Sequence, residues 1–292
     1  MIMLASDIIE RPNRLIRVKA LVAQNRLFVL GVAILFIVVA TCMLASWVAP
    51  YEPAKIVMSG RLLPPSAEHM MGTDRLGRDI FSRVLYGGRT SILIGLCVVL
   101  IAMLIGCPVG LMAGYFGGRT DLLLMRLSDV FLAFPPLLLP IAITAALGPG
   151  LWNAVIALAV SWFPWYARMM RAAATMVRQE LYIGAARTIG VGHFRILVRH
   201  VAPNSLTPLI VQASMDFGYA ILAVASLSFI GLGARSPAVE WGLIAADSRT
   251  DFLDQWWTAL LPGFSIFVTV LAVNLVGDGL RDVLDSKQGR GE

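Results

Sequence analysis

The sequence predicts an all-α polytopic membrane protein of six transmembrane helices, and three observations carry that expectation. Of its 292 residues 58% are hydrophobic and only 14% charged, and the mean hydropathy of +0.77 leaves too few charges to clothe a water-soluble chain of this length. Uncharged runs long enough to cross the roughly 30 Å hydrocarbon core of a bilayer recur along the chain. The basic residues gather on one side of those runs, as the positive-inside rule requires. A net charge of +6 and a pI near 9.6 would also suit a nucleic-acid binder, so where the charge sits decides between the two.

The first run, 27–51, is too long for the core of a secretory signal, and the stretch from Arg11 to Arg26 before it is long for a signal's leading region. An uncleaved first helix is expected. The second span is 90–118. The next uncharged run, 130–167, is too long for one helix, and Leu147-Gly148-Pro149-Gly150 divides it into spans three and four. Span five, 205–233, is interrupted by Asp216, and span six, 255–277, stops before Asp278.

With the N-terminus inside, 16 of the 24 Lys and Arg residues face the cytoplasm, among them Arg11, Arg14, Arg17, Lys19 and Arg290. The outer loops hold the other eight, matched by eight acids, so the basicity is topology and no nucleic-acid partner is expected. The expected organisation is a cytoplasmic segment 1–26, a six-helix domain 27–282 and a cytoplasmic tail 283–292. Outer loops 52–89 and 235–254 are long enough to fold over the bundle, and 171–204 is the long inner loop.

Cys42, Cys97 and Cys107 lie in apolar runs and form no CxxC pair, and His69, His193 and His200 form no ligand cluster in sequence. Neither a disulfide framework nor a metal site is expected. The lysines, Lys19, Lys55 and Lys287, follow Val, Ala and Ser, whereas a phosphate-binding G-x-x-x-x-G-K-[ST] loop needs Lys after Gly. The chain is therefore expected to bind no nucleotide or other cofactor. No GxSxG, HExxH or paired intramembrane carboxylates appear, so no catalytic residues are expected either.

The inner loop is the informative segment. From Arg178 to Pro203 it reads RQELYIGAARTIGVGHFRILVRHVAP, with helical composition on both sides of a Gly190-Val191-Gly192 break. With Arg187, Arg195 and Arg199 it is too charged for the membrane and too apolar for a free linker, so one face must dock. Lipid headgroups and a protein partner both fit that description.

The same loop resembles the coupling loop of the permease subunits of bacterial binding-protein-dependent ABC importers. Gly184, Ala185 and Ala186 stand at that family's E-A-A positions, Gly190 at its glycine and Pro203 at its proline, while Gly184, His200 and Ala202 depart from the consensus. Tyr182, Ala185-Ala186-Arg187, Gly190, Arg199-His200 and Pro203-Asn204 resemble the form used by the dipeptide, oligopeptide and nickel branch. Further blocks look like that branch in its order: Gly72-Thr73-Asp74 with Leu76-Gly77-Arg78-Asp79, Leu227 to Gly233, Trp241-Gly242, and Gly277 to Asp282.

The resemblance implies a type I importer permease fold, a second homologous permease subunit and an extracytoplasmic substrate-binding protein. It also implies two cytoplasmic ATPase subunits that hold the ATP and Mg. Tyr182, Gly184, Ala185, Ala186, Arg187, Gly190, Arg195, Arg199, His200 and Pro203 are the residues it assigns to ATPase coupling. Peptides are the implied cargo, with nickel or glutathione as the alternative. An ion-coupled secondary transporter would need broken paired helices and an internal repeat. Neither is visible in the sequence.

Asp216 stands out because a carboxylate in hydrocarbon costs a few kcal/mol and faces a cavity or a partner. At about 100° per residue, Ser205, Gln212, Asp216, Tyr219, Ala223 and Ser226 share one stripe, which predicts that Gln212, Asp216, Tyr219 and Ser226 line a hydrated path. Two readings of Asp216 stay open, attraction of a substrate's ammonium group and a hydrogen bond to a neighbouring helix. Outside, Thr73 as a cap and the spacing of Arg75, Asp79 and Arg83 predict a short helix over 73–86. It serves either as a brace or as a contact for the binding protein, as do Trp241, Asp247, Asp251, Asp254, Trp256 and Trp257 in the second outer loop, where tryptophans also anchor at interfaces.

Overall fold

The computed structural model describes residues 25–288. The expected cytoplasmic segment 1–26 and its basic residues Arg11, Arg14, Arg17 and Lys19 lie outside the described residues apart from Asn25 and Arg26, as does Arg290 in the expected tail.

Every named element in that range is helical. Helix α1 (Arg26–Met43) is followed by a single turn, α2 (Ala45–Val48). Then come α3 (Ile80–Phe116), α4 (Gly118–Leu132), α5 (Leu138–Leu147) and α6 (Leu151–Arg178). The long loop holds α7 (Leu181–Thr188), α8 (His193–Ile196), a π-helical turn Leu197–Val201 and α9 (Ala202–Ser205). The chain closes with α10 (Thr207–Phe229), α11 (Trp241–Asp247) and α12 (Trp257–Gln288). We call the end of the bundle that carries 179–204 the loop end, and the end that carries 52–79 and 235–254 the cap end.

Among the described residues four helices, α1, α3, α10 and the Trp257–Asp282 stretch of α12, are long and apolar enough to cross a membrane. The expected third span is corrected. The run 130–147 is two helices, because Pro135 and Pro136 supply no amide donor and Pro135 disfavours helical backbone at Phe134. α5 has 10 residues, about 15 Å of helix, which is half the hydrocarbon thickness. α6 is long enough but amphipathic, and it runs past the expected span as far as Arg178. Two ion pairs tie its last turns to α4: Arg171 bonds both carboxylate oxygens of Asp121, and Arg168 Nη2 donates to Asp129 Oδ1 at 2.6 Å. The hydrogen-bonded Arg171 guanidinium holds the Asp121 carboxyl below its ordinary range.

The segment 73–86 is corrected too. Its helix begins at Ile80 and is continuous with the second span, giving 37 residues or about 55 Å. Asp79 is the cap, accepting from Ser82 N at 2.7 Å, while Thr73 Oγ1 donates to Gly60 O and accepts from Leu63 N. The reason is Asp74, whose Oδ1 accepts from Leu76 N and Arg78 N at 2.9 Å each and curls 74–78 into a turn that no helix can include.

The closest packing joins α3 to α6. Gly106, Gly110 and Gly114, four residues apart, form one stripe of α3, and a Cβ on Gly110 would stand 2.1 Å from the Ala167 carbonyl oxygen. Only glycine admits α6 so closely, and in lipid such backbone approach is what holds helices together. α10 completes this core through Ala220, Ala223 and Val224, buried with Val98, Ala102, Val155 and Leu158. At the loop end, α1 is tied to α12 by Asn25 Nδ2, which donates to Asp282 Oδ2 at 2.9 Å.

Candidate functional site

The long loop is an elbow pinned at three points. Ile183 from α7, Ile196 from α8 and Val201 from the π turn are fully buried, and each isoleucine contributes about 1.5–3 kcal/mol of apolar burial. Between α7 and α8 the chain reverses at Gly190, whose φ of +81° is the left-handed conformation that glycine adopts without strain. Gly190 N donates to Arg187 O and Val191 N to Ala186 O, so the end of α7 is closed by its own amides. With the buried side chains pointing into the bundle, Leu181, Ile189 and Phe194 point away, 91%, 80% and 79% exposed.

Tyr182, Gly184, Ala185, Arg187, Gly190, Arg195, Arg199 and Pro203 all lie on the exposed surface of this elbow, while Ala186 and His200 are half-buried. Tyr182 and His200 come together with ring centroids 6.4 Å apart, and Asn204 Nδ2 donates to His200 O at 2.6 Å. Arg187 is tied inward: its guanidinium lies 5.2 Å over the Tyr115 ring, and Tyr115 Oη hydrogen-bonds His193 Nδ1 at 2.8 Å. Sequence reasoning missed the apolar knobs and this Tyr115 and His193 fastening. The knobs were findable, since in the single turn His193–Ile196 a buried Ile196 leaves Phe194 on the opposite side.

Midway along the bundle, α6 and α10 line a half-open cavity of about 410 Å³, walled by Trp162, Trp165, Tyr166, Gln212, Asp216 and Tyr219. Asp216 Oδ2 accepts from Tyr166 Oη at 2.6 Å and Oδ1 from Gln212 Nε2 at 2.8 Å. Trp162 stacks on Tyr219 with centroids 5.1 Å apart. Of the stripe read from sequence, Gln212, Asp216 and Tyr219 meet in this cavity. Ser226 sits two turns further on beside Phe229 and Ile230, donating to Leu222 O, while Ser205 and Ala223 are buried in the bundle. The aromatic wall from α6 was missed, because nothing in sequence spacing joins Tyr166 to a residue 50 positions away.

The cap end holds a buried charge network. Asp74 Oδ2 accepts from Arg78 Nε at 2.6 Å and from Arg83 Nη1, and Asp247 Oδ2 in the second cap-end loop accepts from Arg78 Nη2 at 3.1 Å. Arg83 is 2% and Asp74 4% exposed. Asp79 also meets His69 Nδ1 at 2.9 Å, so its carboxylate serves the cap and the His69 contact, and it pairs with neither Arg75 nor Arg83. Glu240 caps α11 through Gly242 N and Leu243 N, accepts from Ser91 Oγ, and sets Trp241, whose Nε1 donates to Val84 O. The two cap-end loops are thereby joined to the start of α3.

Span-length apolar helices around a mid-bundle cavity, with an apolar elbow projecting beyond them, define a membrane protein of the permease class. The chain belongs to the family of binding-protein-dependent transport system inner membrane components, which matches residues 106–290. Residues 22–65 match the N-terminal transmembrane domain of oligopeptide transport permease C. It is thus a multi-pass inner membrane permease subunit. It is 48% identical to the probable D,D-dipeptide transport system permease protein DdpC of Escherichia coli (strain K12), over 90% of this chain and 88% of that one. It is 46% identical to the dipeptide transport system permease protein DppC of Alkalihalophilus pseudofirmus, over 90% and 87%. The nickel transport system permease protein NikC of Escherichia coli (strain K12) is 41% identical over 89% and 93%. Among solved structures, an inward-facing form of the MetNI methionine ABC transporter superposes with a TM-score of 0.57 at 19% identity, covering 70% of this chain and 97% of that one. That likeness concerns the fold.

Proposed function

We propose that this chain, with a second homologous permease, forms the membrane path of an ATP-driven importer for di- and oligopeptides delivered by an extracytoplasmic binding protein. The observation that carries the proposal is the elbow: Leu181, Ile189 and Phe194 are exposed on a rigidly pinned helix pair, an arrangement suited to a protein groove. In this reading the loop end and both termini are cytoplasmic, and two ATPase subunits seat the elbow. ATP and Mg belong to those subunits, and this chain binds no cofactor and catalyses no reaction.

The pinned elbow moves as a rigid body with the ATPases and passes that motion into α6 and α10, between which the cavity lies. The second permease covers the exposed α10 face of Tyr219, Leu222 and Phe229, and so closes the path. The binding protein meets the cap end, where the joined outer loops offer it one surface. Peptide cargo is supported by the dipeptide permease relatives, and nickel is the second reading because of the nickel permease relative.

Purification from membranes tests the assembly: the chain is expected to bring with it a second permease and ATPases in one complex, and isolation as a self-sufficient carrier would overturn it. Cargo is tested on the reconstituted complex with its binding protein, where ATP-dependent uptake of labelled dipeptide is expected. Uptake of nickel chelates without peptide uptake would select the second reading.

A further inference from the structure

The mid-bundle cavity has a chemistry that the pathway reading leaves unused. Its charged group is Asp216, and among the described residues no Lys, Arg or His nitrogen stands within 4.0 Å of that carboxylate. Each oxygen takes one hydrogen bond, from Tyr166 or Gln212. A carboxylate accepts about four, so acceptor positions remain. The walls on either side are aromatic faces: Trp162 stacked on Tyr219, and Trp165, which is 55% exposed. Tyr219 is 46% exposed. Aromatic rings around a lone carboxylate in a low-dielectric bundle attract one class of group, a compact cation that gains from both the charge and the ring quadrupoles.

We propose that this cavity is a binding station for a protonated amine, with Asp216 as counter-ion, Trp162, Trp165 and Tyr219 as the aromatic walls, and Tyr166 and Gln212 as the residues that fix the carboxylate. The volume of about 410 Å³ lies within the range of small-molecule sites and accepts an ammonium together with the chain that bears it. Resting on the peptide-import reading, the natural occupant is the N-terminal ammonium of the cargo. The station is transient by construction, since one charge and partly exposed rings hold a cation weakly enough to release it.

The test is a titration of the purified complex in detergent, followed by tryptophan fluorescence, with ethylammonium, dialanine and N-acetyl-dialanine as probes. Saturable responses are expected for the two amines and none for the acetylated peptide. Asp216→Asn keeps an acceptor for Tyr166 but removes the charge, and is expected to weaken amine binding at least about tenfold. Tyr219→Leu, which keeps the charge and removes a wall, is expected to weaken it several-fold and serves if the first variant does not fold.

An equal response to the acetylated peptide, or amine binding undiminished in either folded variant, overturns the station. Uptake by the reconstituted importer separates the two ideas. Amine binding that depends on Asp216 without peptide uptake refutes the import reading and leaves the station. Peptide uptake without amine discrimination at the cavity does the reverse.

Discussion

The two ends of the bundle invert the usual placement of side chains. At the cap end, charges are inside: Asp74, Arg83 and Glu240 are at most 4% exposed; Asp74 and Glu240 each accept several hydrogen bonds, and Arg83 donates to Asp74 and Asp247. At the loop end, large apolar residues are outside: Leu181, Ile189 and Phe194 are at least 79% exposed. A buried, paired network is costly to disrupt and rigidifies what it joins. An exposed apolar surface on a pinned scaffold is costly to leave uncovered and is poised to bind. One end is thus built to hold its shape and the other to present an apolar surface.

Breaking the cap is expected to have the largest effect. Arg83→Ala strips the buried Asp74 of a partner and should cost about 3–5 kcal/mol, read as a large drop in the melting temperature of the purified permease. Glu240→Ala removes the cap of α11 and the acceptor of Ser91 Oγ, a loss of about 1–2 kcal/mol by the same assay. Arg187→Ala removes only the stacking on Tyr115 and should cost about 0.5–1 kcal/mol while loosening the elbow. Its signature is faster amide hydrogen exchange confined to 181–196. If the loop variant proved as destabilising as the cap variant, the contrast between the ends would fail.

How much of this was legible in the sequence follows the distance between partners. The elbow was legible because its signals are contiguous: two helical stretches around Gly190 and a mixed apolar and basic composition. Half of the cavity was legible, since Gln212, Asp216 and Tyr219 recur at helical period on α10. The other half comes from α6, and the pairing of Tyr166 with Asp216 is a fact of packing alone. Arg83 is the extreme case: one partner is nine residues back and the other 164 residues on, and neither separation is a helical one.

The break in the third span has a different origin. Hydropathy alone does not register that Pro135 and Pro136 break the backbone inside an apolar run. The overrun of α6 reflects charges neutralised in pairs, Arg168 with Asp129 and Arg171 with Asp121, that a linear reading counts as helix-ending. The glycine spacing at 106, 110 and 114 was readable as a close-packing stripe, though its partner helix was not.

The most direct measurement is ATP hydrolysis by the reconstituted complex with loaded binding protein, compared between the wild-type permease and Phe194→Asp. Phe194 is 79% exposed, so the substitution should leave the melting temperature of the isolated permease unchanged, within about 0.5 kcal/mol. The account predicts that cargo-stimulated hydrolysis is nevertheless lost and that the ATPases no longer co-purify. Full stimulation by a folded Phe194→Asp permease with its ATPases still bound would contradict it.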